Sequence, residues 1–115
     1  MSGLLQPPTK EVDVDFLVFV ERYATDLLRL DILTFFGHNP DFCGPTSQIA
    51  QCIGRRALSI RPELGDLALL GILEEIQSQA GETLYKLTTE SHQRDMTLKL
   101  ANSQLTTQRW ESLGW

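Results

Sequence analysis

The 115-residue sequence contains no apolar run that approaches the ~20 residues needed to cross a lipid bilayer. The first ten residues lack a basic segment followed by an apolar one, so we expect no secretory signal. Two cysteines, Cys43 and Cys52, are too few to build a disulfide framework, which favours a reducing compartment. The sequence therefore predicts a cytoplasmic protein without a membrane partner.

Motifs for catalysis and for metal binding are also lacking. His38 and His92 lie far apart, and neither has a cysteine or a carboxylate at metal-ligand spacing. The sequence has no phosphate-binding glycine loop, dinucleotide fingerprint or nucleophile elbow. We predict a protein that is not an enzyme and uses no metal or cofactor. A metal site shared by the two cysteines and a histidine, and a redox role for Cys43, stay open as alternatives.

Positive charge is scarce. Ten Lys and Arg residues stand against fifteen Asp and Glu residues, which gives a net charge of −5 and a pI near 4.9. No segment of the chain is strongly positive, whereas a surface that binds DNA normally presents a basic face. If the protein binds nucleic acid, we expect its attraction to phosphate to be weak.

A chain of this length forms one domain around one core. Residues 1–12 are predicted to be a flexible lead-in, and residues 13–115 a single domain. Between 13 and 36 the apolar residues recur at three- and four-residue spacing, which predicts an N-terminal helix or pair of helices with a break near Leu30. The Gly-His-Asn-Pro segment at 37–40 is predicted to end this helical region and to begin a loop.

Residues 46–71 are predicted to form two short helices separated by a turn. The first would be capped by the pair Thr46-Ser47 and closed by Gly54, and the second would be capped by Ser59 and closed by Gly71. The apolar residues of the second helix that are predicted to face inward are Ile60, Leu64 and Leu67.

Residues 72–88 are predicted to form a β-hairpin. Its strands would be 72–76 and 83–87, joined by a polar turn that contains glycine. Residues 89–113 are predicted to form a C-terminal helix that is capped by Thr89.

The order of helices, helix-turn-helix, hairpin and helix resembles the winged helix-turn-helix family, most closely the small bacterial repressors of the ArsR-like and MarR-like types. Sixteen residues separate Gly54 from Gly71, which matches the spacing in that family. The resemblance covers about half of the chain and is carried by residues 29–36 and 49–54, by Ile60, Leu64 and Leu67, and by Gly71–Leu73 and Gly81–Thr88. It implies a mostly helical α+β fold with a wing of two or three strands and flanking helices at both ends.

The resemblance also implies that the second helix of the motif enters the major groove of DNA with its N-terminal half. Arg61 would bind a guanine with two hydrogen bonds, and Arg55 and Arg56 would hold phosphates. Glu63 would repel phosphate, and the wing turn has no Lys or Arg to enter a minor groove. The residues predicted to lie at the DNA are Arg55, Arg56, Ser59, Arg61 and Glu63.

In the resembled repressors the N- and C-terminal helices form a dimer, and a two-fold dimer doubles the contacts with a two-fold DNA site. The residues predicted to lie at this interface are Phe16, Phe19, Tyr23, Leu98, Leu105 and Trp110. The predicted function is therefore a dimeric transcriptional regulator that binds double-stranded DNA. The alternative is a winged-helix adaptor that binds another protein and no DNA, because an acidic helix face with Leu and Pro also suits a protein partner.

Overall fold

The computed structural model describes residues 13–103. These residues form five helices and three strands in the following order: α1 Val14–Tyr23, α2 Leu27–His38, β1 Cys43–Pro45, α3 Thr46–Ile53, α4 Ala57–Leu69, β2 Leu73–Gln77, β3 Thr83–Leu87 and α5 Ser91–Ala101. This order confirms the predicted fold class, a mostly helical winged helix. The predicted lead-in over 1–12 and the predicted end of the C-terminal helix lie outside the described residues.

The N-terminal region consists of two helices, and they separate at a different place from the one predicted. The Asp26 carboxylate accepts a hydrogen bond from the Arg29 N–H at 2.9 Å and so caps the start of α2. Asp13 caps α1 in the same way, through the Phe16 N–H at 3.1 Å. The chain is continuously helical through Leu30, so the predicted break there is wrong: the two helices are set by their capping aspartates.

Helix α2 ends at His38, within the predicted terminator 37–40, and Gly37 itself lies inside the last turn of the helix. A Cβ atom at Gly37 would lie 2.5 Å from the Ala101 Cβ and 2.5 Å from the Thr97 carbonyl oxygen, both in α5. The absence of a side chain is therefore what allows α2 and α5 to cross in direct contact. The helix is capped at Asn39, whose side-chain amide donates to the Phe35 carbonyl at 2.9 Å.

The helix-turn-helix consists of α3 and α4. Gly54 closes α3 in the left-handed conformation, with φ of 69°, as predicted. Helix α4 begins at Ala57, three residues before the start that a Ser59 cap predicts, and Arg56 at its N-cap position makes no side-chain capping bond. Pro62 consequently lies in the second turn of α4, where the helix lacks one backbone hydrogen bond.

The wing is a three-stranded antiparallel sheet in the order β1-β3-β2. Strands β2 and β3 form the predicted hairpin, with Leu73 opposite Leu87 at one end and Gln77 opposite Thr83 at the other. The short strand β1 pairs with the other edge of β3, so that Gly44 lies opposite Tyr85. This pairing confirms the three-stranded form of the predicted wing.

Helix α5 is capped by Glu90 and not by Thr89 as predicted. The Glu90 carboxylate accepts hydrogen bonds from the Gln93 N–H at 2.8 Å and the His92 N–H at 3.2 Å. These bonds hold the pKa of Glu90 below its ordinary value. Thr89 is engaged elsewhere, since its N–H donates to the Glu74 carboxylate at 3.1 Å.

The core lies where α2 meets α4, α5 and the sheet. The predicted inward face of α4 is confirmed, because Ile60, Leu64 and Leu67 are fully buried. The largest fully buried side chains outside α4 are Ile32, Leu33, Phe36, Ile49, Ile72, Leu73, Leu87, Thr97 and Leu100. With one face of α4 held in this core, the opposite face points away from the protein.

Candidate nucleic-acid interface

The outward face of α4 is the most prominent surface of the helix-turn-helix. Leu58 is 72% exposed and Leu69 is 87% exposed, and Ser59, Arg61 and Pro62 are exposed as well. Helix α4 is the second helix of the motif and packs against the wing through its other face. A convex helix of this kind, open along its N-terminal half, has the shape that fits a major groove.

The acidic residues of α4 are tied to α2 by Arg29. The Arg29 Nε donates to the Glu63 Oε1 at 2.7 Å, and its Nη2 donates to the Asp66 Oδ2 at 3.0 Å. The Arg29 side chain is only 13% exposed, which marks this contact as part of the packing between the two helices. Glu63 therefore turns toward α2, and the positive charge of Arg29 offsets its repulsion of phosphate. The sequence alone does not indicate this pairing.

Arg55 also has a partner. Its Nη2 and Nε lie 2.6 Å and 3.0 Å from the same oxygen of Asp31 in α2. A phosphate would have to compete with this carboxylate for the guanidinium group.

Arg56 and Arg61 are different, because neither forms an ion pair with another residue in the range 13–103. Arg56 lies at the start of α4, and Arg61 lies one turn further along the helix. Both side chains are exposed. Arg56 and Arg61 can therefore bind an anion without first breaking an ion pair within residues 13–103.

Arg61 lies close to the junction between α4 and the wing. Burial raises the pKa of the Tyr85 hydroxyl above its ordinary value, the Glu75 carboxylate raises it further, and the Arg61 guanidinium opposes this shift. Tyr85 therefore stays protonated at neutral pH. The Arg61 guanidinium is thus near enough to Tyr85 in β3 to act on it electrostatically.

The tip of the wing is a tight polar turn. The Ser78 N–H donates to the Glu82 carbonyl at 2.8 Å, and the Glu82 N–H donates to the Ser78 hydroxyl at 3.0 Å. Residues 77–82 include no Lys or Arg, so the turn offers no cation to a minor groove.

The residues of the predicted dimer interface lie in different environments in the single chain. Phe19 and Tyr23 are 2% and 8% exposed in the single chain, where their rings pack together at 4.9 Å, so they belong to its own core. Phe16 and Leu98 are half-buried, and Leu105 and Trp110 lie outside the described residues. The apolar side chains that α1 does expose are Val14, Leu17 and Val18. Their three- and four-residue spacing is present in the sequence, but the prediction was based on the aromatic residues of the same helix.

The open alternatives for cysteine receive no further support. Cys43 and Cys52 are both free and exposed, on β1 and α3. Between residues 13 and 103 no three His, Cys, Asp or Glu side chains are placed to hold a metal ion. In the same range no helix has the length and apolar character to span a membrane.

The fold and the exposed face of α4 together are those of a winged-helix protein. No family model and no curated protein sequence matches the chain. The solved structures that share its fold include a possible transcriptional regulator from Methanosarcina mazei Go1, with 17% identity and a TM-score of 0.60 over 98% of this chain and 97% of that one. They also include the antimony-specific transcriptional repressor AntR (17% identity, TM-score 0.60, 96% and 99%) and ligand-free NadR (13% identity, TM-score 0.56, 87% and 67%). At these identities the likeness shows the fold alone.

Proposed function

We propose that this chain is a transcriptional regulator that binds double-stranded DNA by placing α4 in the major groove. The observation that carries the proposal is the distribution of charge on α4. Its two acidic residues are held by Arg29, whereas Arg56 and Arg61 face outward without an ion pair in the described residues. The charge of the whole chain is negative, but the exposed start of α4 is locally positive.

The proposed contacts divide between base edges and the DNA backbone. Arg61 would bind a guanine through two hydrogen bonds, and Arg56 would hold a phosphate. Ser59 is exposed in the first turn of α4 and would donate to a phosphate or a base edge. Arg55 would contribute only by exchanging the Asp31 carboxylate for a phosphate. Glu63 serves to position α4 and does not contact DNA.

Two chains would act together as a homodimer. The exposed apolar side chains of α1, Val14, Leu17 and Val18, supply one surface that association would bury. The same dimer would include the C-terminal region that carries Leu105 and Trp110. A two-fold pair presents two α4 helices to a palindromic site and compensates for few phosphate contacts per chain. A protein that reads chromosomal DNA works in the compartment that holds it, in agreement with the predicted cytoplasmic location.

Selection from a random genomic DNA pool, at low salt and again at higher salt, tests this proposal. We expect a palindromic sequence to be enriched, and binding to it to be lost when Arg56 and Arg61 are both changed to Ala. Arg22→Ala is the matched control, because Arg22 is an exposed arginine on α1, outside the helix-turn-helix. Equal binding by all three proteins would show that α4 does not contact the DNA. Failure to enrich any sequence at either salt concentration would refute the proposed function.

A second candidate function is a winged-helix adaptor for another protein. The observation that favours it is the apolar character of the outward face of α4, with Leu58, Pro62 and Leu69 exposed. In that case, Leu58→Ala and Leu69→Ala would weaken the binding of a partner protein, whereas Arg56→Ala would leave it unchanged.

A further inference from the structure

The outward face of α4 carries an apolar strip made of Leu58, Pro62, Gly65 and Leu69. At 3.6 residues per turn, these four positions fall within an arc of roughly 60° around the helix axis. Leu58 and Leu69 are mostly exposed, Pro62 is exposed, and nothing lies within 4 Å of where a Gly65 side chain would begin. None of the four side chains can donate or accept a hydrogen bond. The centre of the proposed DNA-binding helix is therefore apolar.

Apolar side chains in a major groove have one favourable partner on the standard bases. Guanine and adenine present acceptors or donors there, cytosine presents a donor, and only thymine adds a methyl group. Covering a polar base edge with a leucine would remove its water without returning a hydrogen bond, which is unfavourable. Contact with a thymine methyl removes apolar surface from water on both sides.

The charges beside the strip point to DNA as its occupant. Arg56 lies two residues before Leu58, and Arg61 lies directly before Pro62 on one flank of the strip. The acidic residues lie on the other flank, where Arg29 holds Glu63. A polyanion placed along the N-terminal half of α4 thus meets Arg61 next to the strip and Arg56 at the helix start, while the two carboxylates on the other flank share the positive charge of Arg29.

We infer that Leu58 and Pro62 read thymine methyl groups, so that the preferred half-site is a thymine-containing sequence next to the guanine bound by Arg61. The helix rise between these two residues is about 6 Å, close to two base-pair steps of about 3.4 Å. Leu69 lies about 16 Å further along α4 than Leu58, beyond the N-terminal half that contacts bases. This inference rests on the proposed function and adds the sequence preference that the apolar strip imposes.

The test compares the enriched duplex with the same duplex in which deoxyuridine replaces thymidine, a change that removes only the methyl groups. Fluorescence anisotropy would measure both affinities. We expect about a fourfold loss of affinity for each methyl group that is read, the factor that corresponds to the transfer of one methylene-sized group. Leu58→Ala should bring the two affinities closer together. Leu69→Ala is the matched control, being the same substitution on the same strip, and should keep the full difference.

The outcomes separate this inference from the function on which it rests. Specific binding of both duplexes with equal affinity by the unchanged protein would overturn methyl reading and leave DNA binding intact. An unchanged difference between the duplexes in Leu58→Ala would also overturn the assignment to this residue. If no duplex is bound, both the inference and the proposed function fail. Circular dichroism should show the native fold in both variants, since Leu58 and Leu69 are outside the core.

Discussion

Replacing Arg29 with Ala removes the cation that joins α2 to both acidic residues of α4. The bond to Glu63 is short, 2.7 Å, and lies between side chains that are 13% and 25% exposed, so its loss should cost about 1.5–3 kcal/mol. The bond to Asp66 is worth about 0.2–1 kcal/mol, because the Asp66 side chain is 57% exposed and well solvated. We therefore expect Arg29→Ala to lower the free energy of unfolding by about 2–4 kcal/mol.

Urea unfolding followed by far-UV circular dichroism measures this change. Arg56→Ala is the matched control, an exposed arginine at the start of α4 whose replacement should alter stability by less than about 0.5 kcal/mol. A double-mutant cycle with Glu63→Gln isolates the pair, with an expected coupling of about 1–2 kcal/mol. Coupling within about 0.3 kcal/mol of zero would show that the contact does not orient α4 and would refute the reasoning.

Three further predictions follow from particular residues. Gly37→Ala should destabilise the fold by about 1–3 kcal/mol in thermal or urea unfolding, because the new methyl group would overlap α5; an unchanged stability would mean that the helices are not in contact there. Gly65→Ala should stabilise the protein by about 0.5–1 kcal/mol in the same assay, since α4 has open space at this position, and a loss of stability would contradict the described surface. The pKa of Asp13 is lowered by its hydrogen bond with Lys99, and the pKa of Glu90 is lowered by the N–H groups of α5. Each carboxylate should therefore stabilise the folded protein fully above the ordinary carboxyl pKa of about 4. This stabilisation should be lost as the pH falls through the lower pKa of the folded state. Between pH 3 and 6 the melting temperature should therefore depend less on pH in Asp13→Asn and in Glu90→Gln than in the unchanged protein. Identical pH dependence in all three proteins would contradict this assignment.

The order of elements was predictable because apolar spacing and turn residues are local signals. The spacing of Ile60, Leu64 and Leu67 places the buried face of α4 correctly, and Gly54 marks the end of α3. The ends of helices were less predictable, since a residue that can cap a helix can also be engaged elsewhere. Thr89 shows this, because its N–H and hydroxyl group both face the carboxylate of Glu74 across the sheet.

The charged residues of the candidate interface were predictable as a set but not as partners. The sequence indicated that arginines and carboxylates share the region from 55 to 66. It contained no signal that Arg29, 34 residues before Glu63, would hold that carboxylate. Such long-range pairing depends on how α2 crosses α4, which only the packed core determines. These pairings change the proposed DNA contacts, because Arg55 is partnered by Asp31 while Arg56 has no ion-pair partner within the described residues.

The crossing at Gly37 restricts which amino acids the chain can accept as it diverges. A Cβ at position 37 would overlap two atoms of α5. One is the Cβ of Ala101, which only a change to glycine would remove, and the other is the backbone oxygen of Thr97, which no substitution removes. A compensating change elsewhere in α5 therefore cannot make room for a side chain. Any other amino acid at position 37 must therefore shift α2 away from α5, at a cost to stability.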